Sequence, residues 1–246
     1  MQLLAIRPKV FAPHPEVATV FAVGKLKFGI APRAEVIAER RELLQTLQLD
    51  TRELRGLEQN QTDKAFYFDE ANKSDFLSEP QLVGDALYTD CPGIFLSVTS
   101  GDCLPILFYN PVAGIAGAFH AGWPGTAKRT LAKVLQRVLQ RCPGVGNYKF
   151  YFGPAAQACC YEITRRPERE EIFEKEFGAG VIARRAGKVY LDFVKANKIQ
   201  LLDLGAGEGQ VENSGICTIH NLEYPSYRRQ RQNRTESLLS LIGVKR

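Results

Sequence analysis

Cys103 and His120 are the residues of this chain best suited to chemistry. They bracket two apolar runs, Leu104 to Tyr109 and Ile115 to Phe119, joined by Asn110-Pro111-Val112-Ala113-Gly114. Two short runs about such turn residues read as a β-hairpin. With Asn110 to Ala113 as the turn, symmetric pairing places Cys103 opposite His120. Opposed side chains lie roughly 5 Å apart at Cβ. A thiolate beside an imidazole is half of a metal site, or a nucleophile and its base. The same pair also reads as a buried thiol beside a satisfied core imidazole.

Other segments carry weaker signals. His120-Ala121-Gly122-Trp123-Pro124-Gly125-Thr126 runs from a strand end into a helix. Its glycines permit close backbone approach, and free amides at a helix start attract anions. Asp102 could orient a ligand, act as an acid or base, or cap a turn. Cys159-Cys160-Tyr161-Glu162 follows a strand and Gly153-Pro154, so Tyr161 is a candidate substrate contact or part of a structural loop. Tyr227 to Arg234 holds four arginines, which could grip phosphate or form a solvated basic face.

The elements that must position these residues follow from patterning. Arg33 to Leu49, Thr126 to Arg141, Pro167 to Phe177 and Lys195 to Leu204 read as helices, with Glu236 to Ile242 as a short final one. Strands are expected at Thr19–Val23, Lys25–Ile30, Ala65–Phe68, Asp85–Thr89, Ile94–Thr99, Tyr148–Phe152, Val189–Phe193 and Ile216–Ile219, besides the hairpin. Helices and strands interleave, which indicates an α/β chain with a mixed sheet, and residues 1–246 read as a single domain.

Composition narrows the function classes. The 246 residues are 45% hydrophobic and carry a net charge of +5, enough to tolerate anionic ligands without indicating nucleic-acid binding. No apolar stretch approaches the ~18 residues of a membrane span, and the N-terminus lacks a signal-peptide pattern, so a cytoplasmic location is expected. The six cysteines match no zinc ribbon or small disulfide scaffold and read as reduced thiols. Three histidines cannot build a multicopper cluster.

In order, the chain carries Asp85-Ala86-Leu87-Tyr88-Thr89-Asp90, Ser100-Gly101-Asp102-Cys103-Leu104-Pro105, His120-Ala121-Gly122-Trp123, Gly153-Pro154 with Cys160-Tyr161-Glu162, Cys217-Thr218, and Ser226-Tyr227-Arg228-Arg229. Across about residues 57–235 this resembles the YfiH/laccase-domain family, also called the multicopper polyphenol oxidase or purine nucleoside phosphorylase family. The resemblance implies a single four-layer α/β/β/α domain with mixed sheets, related to cytotoxic-necrotising-factor-like cysteine hydrolases. It implies zinc as cofactor, held by a His in a Gln-x-His-Gly segment and by Cys and His residues matching Cys103 and His120. It also implies phosphorolysis of adenosine, inosine or methylthioadenosine, or deamination of adenosine; some members are linked to editing of peptidoglycan precursors.

The chain departs from that pattern at the site. Gln61, in Gln59-Asn60-Gln61-Thr62, stands where the third zinc ligand should be. Pro124 replaces the arginine that normally follows the His120 block. Phe21 to Lys27 replaces a segment rich in Arg, Gly and Asn, and the closing Gly-Arg block survives as Asn233-Arg234.

The favoured expectation is a zinc-dependent purine nucleoside phosphorylase, with adenosine deaminase or methylthioadenosine phosphorylase activity. Cys103, His120 and Gln61 would hold the metal, with Cys103, His120 and Asp102 catalytic. Arg228, Lys25 and Tyr161 would hold nucleoside and phosphate. The partners would be those small molecules, with no nucleic acid or membrane, and the protein a monomer or homodimer. One alternative is a metal-free cysteine hydrolase with Cys103 as nucleophile and His120 as base. Another is a degenerate member acting as a binding protein.

Overall fold

A computed structural model describes residues 1–71 and 75–246. In chain order the first elements are β1 (Gln2–Leu4), β2 (Val17–Gly24), α1 (Arg33–Leu47), β3 (Leu54–Arg55), β4 (Ala65–Tyr67), β5 (Ala86–Thr89), β6 (Phe95–Ser100), β7 (Leu104–Asn110) and β8 (Ile115–Ala121). There follow α2 (Trp123–Ala127), α3 (Thr130–Arg141), β9 (Lys149–Phe152), α4 (Pro167–Phe177), β10 (Ile182–Arg185), β11 (Lys188–Leu191), α5 (Phe193–Asp203), β12 (Val211–Asn213), α6 (Tyr227–Gln230) and β13 (Ser237–Val244). Sheet A has the order β1-β2-β13-β6-β3, sheet B the order β12-β9-β7-β8-β5-β4, and β10 and β11 form a separate ribbon.

Strand parity builds the layers. Ile106, Phe108 and Phe119 of sheet B pack with Leu131, Val134, Leu135 and Val138 of α3, and with Phe173 of α4 and Leu201 of α5. Their neighbours Leu107, Tyr109, Ala116 and Ala118 point the other way and meet Phe21, Val23, Val98 and Leu238 of sheet A. The far side of sheet A, through Ala22, Leu239 and Leu241, covers Leu43 and Leu44 of α1. Helix, sheet, sheet, helix is thus the order of layers, as expected.

Several local expectations are corrected. The segment expected to end the chain in a helix is β13, paired with β2 on one side and β6 on the other. Leu238, Leu239, Leu241 and Ile242 mimic a helical stripe because both faces of this strand are buried. The expected helix from Thr126 to Arg141 is two helices, broken at Arg129, whose φ of 55° is left-handed. Residues 25–30 contribute only the isolated bridge of Phe28 with Ala31, and residues 216–219 only that of Cys217 with Ala155.

Candidate active site

The hairpin is one residue out from its expected centre. Its pairing runs Asn110↔Ile115 to Leu104↔Ala121, so the loop is Pro111 to Gly114 and His120 lies opposite Pro105, not Cys103. The register shifts by two along the strand, which preserves parity. Cys103 and Pro105 share a face, so Cys103 becomes the diagonal neighbour of His120, still within side-chain reach. The thiol and imidazole lie close enough at the edge of the inter-sheet layer for each to shift the other's titration.

Asp85, immediately before β5, completes the arrangement. Its carboxylate is fully buried and its Oδ1 lies 2.8 Å from Nδ1 of His120. The backbone joins the same two residues, His120 N–H donating to the Asp85 carbonyl at 2.8 Å. The other carboxylate oxygen accepts from the N–H groups of Thr62 (2.6 Å) and Asn60 (3.2 Å). This fixes the imidazole with Nδ1 toward Asp85 and Nε2 free for Cys103, the order of groups in a nucleophile–base–orienter triad.

Burial opposes charge on both members of the pair, and their mutual attraction overcomes it. The Cys103 thiol is held below its ordinary value despite burial, chiefly by the charge and hydrogen bond of His120; Asp102 opposes and Lys27 assists. Burial would lower His120, but Cys103 and Asp85 push it up to about 9. Asp85 is itself lowered, burial being outweighed by His120 and Thr62. Each group favours the charged form of the other, so their titration belongs to the pair.

Gln61 stands against this couple with a left-handed φ of 57°. Its Oε1 accepts the Gly122 N–H at 3.1 Å, and its Nε2 faces Cys103 Sγ at 3.9 Å. Gly122 is needed here, because a Cβ at that position would fall 2.3 Å from Gln61 Nε2. A catalytic zinc takes three protein ligands. Gln61 turns its amide oxygen, a weak zinc ligand, toward Gly122 and its nitrogen toward Cys103, and Nδ1 of His120 faces Asp85, so among the described residues Cys103 Sγ and His120 Nε2 are the two strong donors left. The donor set does not fit a three-ligand ion.

These groups floor a cavity of about 710 Å³, within the ~300–1,000 Å³ typical of small-molecule sites. Lys27, Arg165, Arg166, Arg169, Arg228, Arg231 and Arg234 line it against Asp102 and Glu162. Aromatic surface lies among the cations: the Arg169 guanidinium is 3.9 Å from the Trp123 ring centroid and that of Arg228 4.3 Å from Tyr161. Arg234 passes over Gly101, where a Cβ would come within 1.9 Å of its Nη1. Burial lowers both Lys27 and Arg234, and Arg234 lowers Lys27 further. The crowded cations would gain from an anion between them.

Of the sequence-predicted residues, the structure brings Cys103, His120, Gln61, Asp102, Tyr161 and Arg228 to this cavity. Lys25 does not line it; its ammonium is paired with Glu35 of α1, and Lys27 takes the place expected for it. The Asp102 carboxylate is occupied by Thr218 Oγ1 (2.7 Å) and the Arg228 N–H (2.6 Å), so it ties the Cys103 turn to α6. The anion-binding helix start expected after His120 reduces to the five residues of α2. The run from Tyr227 to Arg234 is not a solvated face: Arg228, Arg231 and Arg234 line the cavity, while Arg229 donates to the carbonyls of Thr218, Ile219 and Tyr224. Asp85, Lys27 and Arg169 were not identified from sequence as site residues. Asp85 could have been found as a carboxylate set directly before the strand Ala86-Leu87-Tyr88-Thr89.

Among the described residues, one group of His, Cys and carboxylate side chains has the spacing of a metal site. It comprises Cys159, Cys160, Cys217 and His220, apart from the Cys103 couple. No helix among these residues is long and apolar enough to cross a membrane.

The family described as multi-copper polyphenol oxidoreductase laccase matches residues 26–245. The chain is 29% identical over 165 residues to purine nucleoside phosphorylase YlmD of Bacillus subtilis, covering 65% of this chain and 59% of that protein. It is 32% identical over 166 residues to a purine nucleoside phosphorylase of Deinococcus radiodurans (66% and 62%). It is 30% identical over 166 residues to adenosine deaminase RL5 of an unknown prokaryotic organism (66% and 62%). The matches thus span about six tenths of these relatives' lengths. The fold matches crystal structures of YlmD from Geobacillus stearothermophilus and of the hypothetical protein YfiH from Bacillus licheniformis. Both have a TM-score of 0.85 at 24% identity; coverage is 96% and 94% of this chain, and 94% and 93% of theirs.

Proposed function

This chain belongs to the multi-copper polyphenol oxidoreductase laccase family, and we propose that within it the protein is a purine nucleoside phosphorylase. The observation that carries the proposal is the cavity, where a cationic wall and aromatic rings meet over a protonated imidazole. Relatives named for purine nucleoside phosphorolysis and adenosine deamination support it.

In this reading Arg228, Arg234 and Lys27 hold phosphate, and Trp123 and Tyr161 offer aromatic faces to the base. A phosphate oxygen bonds to the ribosyl C1′ as the C1′–N bond breaks. The purine leaves with the electron pair and takes a proton, for which His120 is the buried acid. Asp85 keeps the imidazole oriented and charged. With only two donors at Cys103 and His120, the reaction is independent of a metal there. The test is release of free base from inosine, adenosine and methylthioadenosine by chelator-treated protein, with and without phosphate. Phosphate-dependent release that falls in Arg234→Ala is expected. No phosphate-dependent release from any of the three, with or without added zinc, overturns the proposal. Phosphate-independent conversion of adenosine to inosine assigns deamination instead.

The triad geometry favours a second reading, a cysteine hydrolase in which the Cys103 thiolate attacks and His120 protonates the leaving group. A stable mass adduct on Cys103 after incubation with an electrophilic substrate analogue, absent in Cys103→Ala, is its expected sign. Labelling that spreads over all the thiols in proportion to exposure counts against it.

A further inference from the structure

The cavity is walled by two loops outside sheets A and B. One follows β9 and carries Tyr161 and Glu162; the other precedes α6 and leads to Tyr227 and Arg228. They meet at the isolated bridge of Ala155 with Cys217. Beside that bridge, Cys159 and Cys160 from the first loop face Cys217 and His220 from the second. One ligand atom from each of the four lies within 4.8 Å of all the others. His220 Nδ1 is 3.3 Å from Cys160 Sγ and 3.6 Å from Cys159 Sγ.

We propose that Cys159, Cys160, Cys217 and His220 form a structural zinc site that staples these two loops together. Three thiolates and one imidazole are a complete tetrahedral set for zinc. Zinc–sulfur bonds of about 2.3 Å put tetrahedral ligand atoms roughly 3.5–4 Å apart; His220 Nδ1 is at 3.6 Å from Cys159 Sγ, within that range, and at 3.3 Å from Cys160 Sγ, slightly inside it. Cys217 and His220 have the C-x-x-H spacing of one arm of a zinc site. Three thiolates on a divalent ion leave one negative charge. Arg185 lies beside them, its Nη2 bonded to the carbonyls of Ala158 (2.8 Å) and Cys159 (3.2 Å). The site shares no ligand with Cys103 and His120, so it does not depend on the nucleoside reading.

The experiment measures metal by mass spectrometry in reduced protein dialysed against a weak chelator. Wild type and Cys103→Ala are expected to retain one zinc per chain, whereas Cys159→Ser and His220→Ala lose it. Both substitutions fall on exposed side chains, and circular dichroism checks that each variant folds. Cobalt in place of zinc should give a tetrahedral spectrum whose sulfur-to-metal absorption falls by about a third in Cys159→Ser, one thiolate of three. Limited proteolysis should cut the loops around residues 157–166 and 219–226 faster once zinc is stripped. The proposal is overturned if Cys103→Ala retains no zinc, or if zinc stays at one equivalent in both ligand variants. It is also overturned if peptide mapping of the protein as purified finds Cys217 in a disulfide with Cys159 or Cys160.

Discussion

Replacing Asp85 with Asn tests the triad directly. The substitution preserves size and removes one charge from a fully buried position. An amide oxygen can still accept from Thr62 and Asn60, so the loop bearing Gln61 keeps its anchor. The amide nitrogen then faces His120 Nδ1 as a donor, which favours a neutral imidazole protonated on Nε2. His120 rises from 6.5 to about 9 in the native site, a preference of roughly 3 kcal/mol for the charged form. Cys103 is the largest source of that rise and Asp85 follows it, so losing the Asp85 charge should cost on the order of 1 kcal/mol, about tenfold in imidazolium population. The thiolate should lose a similar factor, because its chief stabiliser is the same imidazolium. The assay is the rate of iodoacetamide reaction at Cys103 against pH, followed by peptide mass. The midpoint should move up by about one unit, and the rate at a given pH below the midpoint should fall about tenfold. An unchanged midpoint in a folded Asp85→Asn protein would refute the triad.

The remaining predictions concern the same couple, the cavity wall and the core. Activity and native stability should both be greatest between two limits. The depressed Cys103 contributes stability that is lost as pH falls through its folded value, and the raised His120 contributes stability that is lost as pH rises through about 9. Thermal melts of wild type and Cys103→Ala across pH should diverge inside that window and converge outside it. Gln61→His should add a third strong donor where the amide now stands, and a left-handed φ tolerates His better than most residues. It should raise zinc content by one equivalent over the parent, and an unchanged content would show that backbone geometry also excludes the metal. Arg234→Ala should raise the KM for phosphate about tenfold with a smaller effect on the nucleoside KM. Ser240→Ala should stabilise by about 1 kcal/mol and raise Tm by roughly 2–4 °C, because the Ser240 hydroxyl is buried in β13 without a hydrogen-bond partner among the described residues.

What the sequence disclosed and what it hid follow from how many faces each segment buries. The Cys103–His120 encounter was legible although the turn centre was misplaced by one residue. A symmetric two-residue slip leaves every side chain on its own face, so the parity argument survives the wrong loop. The helix from Pro167 to Phe177 was legible to the residue, because Pro opens it and Gly178, at a φ of 79°, closes it. By contrast β13 lies between two strands and two apolar layers, so its run carries no period-two signal to separate it from a short helix. Lys27 was passed over for Lys25 because β2 ends at Gly24, and beyond a strand end alternation no longer says where a side chain points.

Asp85 and the cysteine–histidine group show the other limit. Each function depends on contacts between residues distant in the chain. Asp85 reaches His120 through the pairing of β5 with β8, while Cys159 and Cys160 reach Cys217 and His220 through a single bridge outside both sheets. The same topology assigns the two sites different work. Donors around Cys103 are consumed by Gly122 and Asp85, which leaves a charged nucleophile–acid couple at the floor of a cationic cavity. Donors around Cys217 are not consumed in that way. Three further ligand atoms lie within 4.8 Å of its sulfur. In this chain Cys103 and His120 lie at the cavity floor with Asp85 behind the imidazole, and the group with metal-site spacing lies in the loops that shape the cavity wall.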